Sequence, residues 1–305
     1  MAMKVFVTGG TGFVGSYVLE ALRLAGHLPY ALVRSGSENK LPFREGLVII
    51  NGDVHDPVSY STFLKDMDAV IHLIGIIREF PGRRITFQRM HAGATRKIVE
   101  ESVKQGVKRF IHMSANGASE SGVSGYQTTK AEGERIVISS GMRWTIFRPS
   151  VIFGDPRGRM EFVSELAKPI KLAPIVPVFG DGQYKLEPVA VEDVAKCFTG
   201  AINNPAAEGR VFHLGGGTVM TYNDVVQTIG RAVGRQSTHM VKVPFGLMIP
   251  LANALGGFSF FPVTGDQLKM LGGGNVCPEH DYQKVFGVTP KPFTKDNLAY
   301  LTPRR

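Results

Sequence analysis

The feature that most constrains this chain is its first turn. Residues 3–26, "MKVFVTGGTGFVGSYVLEALRLAG", run from a short apolar strand pattern into a helical pattern through Gly9, Gly10, Gly12 and Gly15. Gly9, Gly12 and Gly15 have the spacing G-x-x-G-x-x-G. Between a strand and a helix, such a joint lets backbone N–H groups approach a phosphate with no side chain in the way. Gly9 is read as permitting the tight turn, Gly12 the close approach, and Gly15 the packing of helix on strand. Thr11, Phe13 and Val14 share the turn. The helix puts Val14, Val18, Leu22 and Ala25 on one face and ends near Gly26.

The same alternation continues. Strand patterns "LPYALVR" (28–34), "LVIING" (47–52), "AVIHLIG" (69–75), "VKRFIHMS" (107–114) and "RWTIFRPS" (143–150) are separated by helical periods after Pro57, around 86–105 and around 126–140. Six such βα repeats predict an α/β chain with a Rossmann-type, doubly wound parallel sheet. Pro and Gly become frequent after Phe153. Residues 1–153 are therefore read as the NAD(P)-binding domain, rejoined by 186–216, where "EPVAVEDVAKCFTGAI" (187–202) reads as a helix and "GRVFHLGG" (209–216) as a strand. Residues 154–185 and 217–305 form a smaller, substrate-facing lobe.

Which dinucleotide fits is decided at the end of the second strand. A carboxylate there binds ribose hydroxyls, and a cation accepts a 2′-phosphate. This strand ends in Arg34, with no acid until Glu38. Arg34 is a planar donor fork suited to phosphate, so NADP(H) is favoured, with NAD(H) and a solvated Arg34 as alternatives. Asp53 and Val54, after the third strand, could bracket the adenine, while Leu73 and Gly75 line the path of the cofactor at the end of the fourth.

Tyr126 and Lys130 lie four apart on a helical pattern, so both project from one face. Ser114 closes the fifth strand, at the sheet end where open α/β folds bind ligands. A phenol ionises near pH 10, and a neighbouring ammonium plus a positive nicotinamide would draw it toward neutral pH for proton transfer. Ser114 would then hydrogen-bond the substrate oxygen, and Lys130 would also hold the nicotinamide ribose. Pro149 closes the sixth strand beside them.

These residues resemble the short-chain dehydrogenase/reductase superfamily, in its extended or atypical, epimerase-like branch. "HAGATRKIVEES", "SANGASESGVSGYQTTKAEGE", "FRPSVIFG" and "VTGDQLKMLGGGNV" are most similar to bacterial relatives of the 39-kilodalton nucleotide-binding accessory subunit of respiratory complex I. The resemblance covers nearly the whole chain. It implies a Rossmann domain holding NADP(H) through Gly9, Gly12, Gly15 and Arg34, with Tyr126 and Lys130 at the nicotinamide end. Sugar epimerases of that branch usually carry Asn where this chain has His91, and Asn-Ala-Gly where it has Leu73, Ile74 and Gly75. A nucleotide-sugar substrate is thus not implied, and His91 is read as a structural hydrogen-bonding residue.

Two functions follow: an oxidoreductase or epimerase in which Tyr126 moves the proton, or a binding or assembly protein in which NADP(H) stabilises the fold or reports redox state. The second draws on the uncharged stretch 243–265. It is long enough for a membrane span, but its three prolines and four glycines argue against one. It is read as buried packing, or as a patch docking on a membrane surface or respiratory partner.

Composition narrows the rest. A formal charge of +9 from 35 basic and 26 acidic residues permits anionic partners. Apart from "GRRITFQR" (82–89) and "PRGR" (156–159), however, the basic residues are scattered, and no aromatic interleaving of the RNA-binding kind occurs, so no nucleic-acid partner is expected. Cys197 and Cys277 fit neither a metal spacing nor a disulfide framework, and with no signal-peptide pattern the chain is expected in the cytoplasm or peripheral to the inner membrane, without a metal.

Overall fold

The computed structural model describes residues 2–246 and 265–302. Six parallel strands follow the sequence pattern: β1 (Lys4–Thr8), β2 (Leu28–Val33), β3 (Val48–Asn51), β4 (Ala69–His72), β5 (Arg109–Met113) and β6 (Arg143–Pro149). The strand Arg210–Leu214 adds a seventh beside β6, giving the spatial order β3, β2, β1, β4, β5, β6, then the seventh strand. Reversal of chain direction across the sheet between β1 and β4 opens the crevice that doubly wound sheets use for ligands.

Both faces of the sheet are covered, as a parallel sheet requires. On one face Val5, Val7, Ala31, Ile71, Ile111 and Phe147 pack under α1 (Phe13–Leu24) and a later helix, Val191–Gly200. The alternate residues Phe6, Leu32, Ile50, Val70, Phe110 and Ile146 meet the helices of the opposite face. These are the short α2 (Ser61–Leu64), α3 (Ala94–Lys104) and α4 (Gly125–Ile138). Buried Arg109 ties β5 to β6 and to the end of Val191–Gly200, donating to the Arg143 carbonyl at 2.7 Å and the Ala201 carbonyl at 2.8 Å. A guanidinium is well placed at a helix C-terminus, where carbonyls gather.

Between β2 and β3, where no helical period was read, only the 3-10 turn Glu38–Lys40 stands. Two expectations need correction. The helix expected over 187–202 begins at Val191, since Val189–Ala190 is spent pairing with Ile152–Phe153. Ala25 caps α1 in solvent rather than joining its buried face, whose members are Val14, Tyr17, Val18, Leu19 and Leu22 among others.

Helices Phe162–Leu172 and Tyr222–Ala232 build a second core against the parallel pair Ile175–Phe179 and His239–Val243. Phe153, Val163, Ile170, Val178, Tyr222 and Phe293 fill it. Most of the uncharged stretch, residues 247–264, lies outside the described residues, and the docking expectation lies there with it. Among the described residues no helix is long and apolar enough to cross a membrane.

The tightest point of the fold is Gly15. A Cβ there would lie 2.1 Å from the Gly9 carbonyl oxygen and 2.7 Å from the Gly10 Cα, both backbone atoms with little room to move. Gly15→Ala should therefore cost about 2 kcal/mol or more in urea unfolding. Gly82→Ala, where an added Cβ meets nothing within 4 Å, should change stability by no more than about 0.5 kcal/mol.

Candidate functional site

The site begins at the glycine turn. Gly9 adopts φ +77°, in the left-handed region that glycine enters freely, and Gly12 N–H closes the turn by donating to the Gly9 carbonyl at 3.0 Å. Gly12 then caps α1 with no side-chain hydrogen bond. The first N–H groups of α1 are left facing outward at the positive end of the helix dipole. Phe13 stands edge-on to Tyr17 at 5.9 Å, and Val14 points into the core.

From there the crevice can be followed atom by atom. A Cβ on Gly9 would fall 2.9 Å from the carbonyl carbon of Leu73, so the turn rests directly on the end of β4. Two residues on, a Cβ on Gly75 would fall 2.9 Å from Lys130 Nζ. That ammonium, buried on α4, donates to the Met113 carbonyl at 3.1 Å, and Met113 precedes Ser114. Ser114 is buried, and its hydroxyl has no hydrogen-bond partner among the described residues. The structure thus brings Gly9, Gly12, Leu73, Gly75, Lys130 and Ser114 onto one path. Pro149 is buried at its flank and accepts from Asn116 N–H at 2.9 Å.

Tyr126 stands one helical turn before Lys130 on α4, whose start is capped by Ser124 accepting from Gln127 N–H. Its ring meets Phe87 and His91 edge to face at 5.7 and 5.2 Å. Burial pushes the phenol up to about 12, opposite to the lowering expected from an ammonium neighbour. Burial also lowers Lys130 to about 8, with Glu134 pulling the other way. The pair is thus far from ionised phenolate beside full ammonium. Glu134 is itself engaged, taking two hydrogen bonds from Arg148 at 2.8 and 2.5 Å.

The adenosine end is more open. Arg34, the first residue beyond β2, is exposed, with no side-chain partner among the described residues. It lines a cleft of about 700 Å³ together with Thr11, Ser37, Lys40, Arg157 and Arg159. Asp53 is turned on its own loop, accepting from His55 N–H at 2.8 Å. Val54 departs from expectation: its side chain is packed in the core with Tyr60 and Leu64, so it offers no apolar face to an adenine. Val54 lies in the turn after β3, beyond the reach of strand periodicity.

His91 lies in a π-helical turn, Gln88–Gly93, with Nδ1 2.9 Å from the Thr129 hydroxyl and Nε2 3.0 Å from the Ile76 carbonyl, a bracing role consistent with the reading above. Two further histidines were given no role of their own, His72 in the "HLIG" end of β4 and His112 in β5, because both strands read as apolar. His72 and His112 stack at 5.5 Å behind the site, and His72 Nδ1 lies 2.6 Å from the Thr8 hydroxyl. Burial and the Lys130 charge lower all three rings, His72 to about 3 and His91 to about 2.

Comparison with known proteins agrees with this architecture. Residues 5–215 match the model of the NAD dependent epimerase/dehydratase family. This chain belongs to that family. It is 25% identical to the mitochondrial NADH-ubiquinone oxidoreductase 40 kDa subunit of Neurospora crassa over 97% of this chain and 78% of that protein. It is 23% identical to UDP-glucose 4-epimerase of Vibrio cholerae over 80% of each. Among solved structures, MoeE5 in complex with UDP-glucuronic acid and NAD superposes with a TM-score of 0.75 at 23% identity, covering 97% of both chains, a likeness of fold. The chain is accordingly an NAD(P)-binding, oxidoreductase-like member of the family, with homologues among complex I subunits.

The buried histidines make stability depend on pH. Each is held neutral in the fold but takes up a proton near pH 6.5 once unfolded. The unfolded state therefore binds more protons as pH falls below 6.5, and stability drops by about 1.4 kcal/mol per pH unit per histidine. Unfolding midpoints should fall between pH 6.5 and 4.5, and His112→Leu should flatten that slope. An unchanged slope in the variant would remove His112 from the account.

Proposed function

We propose that this protein is an NADP(H)-dependent oxidoreductase or epimerase whose substrate carries its reacting carbon beside an oxygen. The single observation that carries the reading is the unbroken path from the glycine turn through Gly75 to Lys130 and the unpartnered Ser114 hydroxyl. A dinucleotide fits it: Gly12 leaves room for a pyrophosphate at the start of α1, and Arg34 offers a cation to a 2′-phosphate. Bound there, the nicotinamide would supply or accept a hydride.

The protein's own residues then have distinct tasks. Ser114 holds the substrate oxygen with the hydroxyl that has no other partner. Tyr126 gives or takes the proton at that oxygen, its phenol held protonated by burial. Lys130, reaching Gly75, holds the nicotinamide-side ribose and adds positive charge near the phenol. Asp53, Leu73 and Pro149 bound the space, Thr11, Phe13 and Val14 present backbone at the pyrophosphate, and NAD(H) remains the weaker ligand.

A second reading is favoured by the likeness to the Neurospora crassa subunit over 97% of this chain. In it NADP(H) stabilises the fold, turnover is slight, and stretch 243–265 docks on a membrane-bound partner.

Tyr126→Phe decides between them. An enzyme should lose NADPH oxidation by about a hundredfold or more against its best substrate in a panel of aldehydes, ketones, quinones and sugar nucleotides, while NADPH still binds. No oxidation by wild type across the panel would sink the enzyme reading. Separately, Arg34→Asp should weaken NADPH at least about tenfold more than NADH in fluorescence titrations. Equal losses would refute the phosphate role.

A further inference from the structure

The arginines of "PRGR", one of the two basic clusters in the sequence, reach helix α1 and the glycine turn. The segment 154–159 leaves the strand Ile152–Phe153 and crosses over the start of α1. Arg157 bonds Glu20 at 2.7 Å and lies 3.8 Å over the Tyr17 ring, whose hydroxyl donates to the Asp155 carbonyl at 3.0 Å. Arg159 spends its guanidinium on three carbonyls. Nε donates to Thr11 at 2.9 Å, Nη1 to Arg157 at 3.0 Å, and Nη2 to Lys40.

Two of those carbonyls belong to opposite walls of one cleft. Thr11 is in the glycine turn, and Lys40 is in the loop that begins at Arg34. Nothing else in that loop bonds to the turn among the described residues: its own backbone bonds, Ser37 to Arg34, Lys40 to Ser37 and Leu41 to Glu38, are local. The one acidic side chain lining the cleft, Glu20, is already engaged by Arg157, which leaves Arg34 and Lys40 as unopposed cations. With three of its five N–H groups committed to carbonyls on both sides, the guanidinium fixes the distance between the walls.

We propose that Arg159, from the smaller lobe, is a positioning residue for cofactor choice. By strapping the 34–42 loop to the glycine turn it sets Arg34 and Lys40 to receive a phosphate monoester on the adenosine ribose. The inference rests on the phosphate reading of Arg34 given above, and it assigns part of the discrimination to the second lobe.

The test uses adenosine 2′,5′-bisphosphate and adenosine 5′-monophosphate as probes, titrated calorimetrically into the full-length protein. Neither probe requires turnover. Wild type should bind the bisphosphate at least about tenfold more tightly than the monophosphate. Arg159→Ala and Arg159→Lys should each weaken the bisphosphate about tenfold and the monophosphate less than about threefold, because lysine keeps the charge but cannot span three carbonyls. Circular dichroism checks that each variant is folded, and the lysine variant alone suffices if the alanine variant is not.

A bisphosphate preference that survives in Arg159→Lys overturns the positioning role while leaving the Arg34 reading intact. Equal loss of both probes also overturns it, since Arg159 would then only hold the turn. A wild type without preference fails the Arg34 reading itself, and the present inference with it.

Discussion

Helix α1 meets strand β1 with backbone against backbone, Gly15 over the Gly9 carbonyl with no space for a single methyl group. That approach aims the helix start at the sheet's crevice and lets Gly9 rest on Leu73 at the end of β4. It also lets the buried faces of α1 and Val191–Gly200 share one core. Apolar burial supplies most of the driving force for such a fold, but it is indifferent to a shift of an ångström. The glycine contact supplies the geometry, and the path toward Lys130 and Ser114 inherits its alignment from it.

The other end of the crevice is governed by electrostatics rather than shape. Phenol and amine are both driven toward neutrality by the same dry surroundings, so neither prepares the other as a lone ion pair would. Lys130 has instead settled on a carbonyl of β5, and Tyr126 on an aromatic pair. A ligand that fills the crevice changes that environment for both at once, which makes proton affinity at Tyr126 a property of the complex. The same balance lets one scaffold serve either turnover or simple retention of a nucleotide.

Much of this was legible in the residues. Strand positions of β1 to β6 follow from apolar runs bounded by Gly, Pro and Asp, and the turn from glycine spacing. The Tyr126 and Lys130 pairing follows from helical period. What stayed hidden depends on partners distant in sequence. Arg159 has meaning only once Thr11 and Lys40 are brought beside it, and the inward turn of Val54 only once Tyr60 folds over it. His72 and His112 sit at positions that periodicity reserves for apolar residues, where nothing in the sequence distinguishes a neutral imidazole from a valine.

The seventh strand carries a consequence for how the chain is made. Arg210–Leu214 pairs with β6, yet some sixty residues, about half of them from the smaller lobe, are synthesised between them. As the polypeptide leaves the ribosome, β6 must wait with an open edge, and Arg109 must wait for the Ala201 carbonyl that helps neutralise its burial. An unpaired parallel edge over an unfinished core is a place where nascent chains stick to one another. The nucleotide half therefore cannot close its sheet until residues 210–214 have emerged.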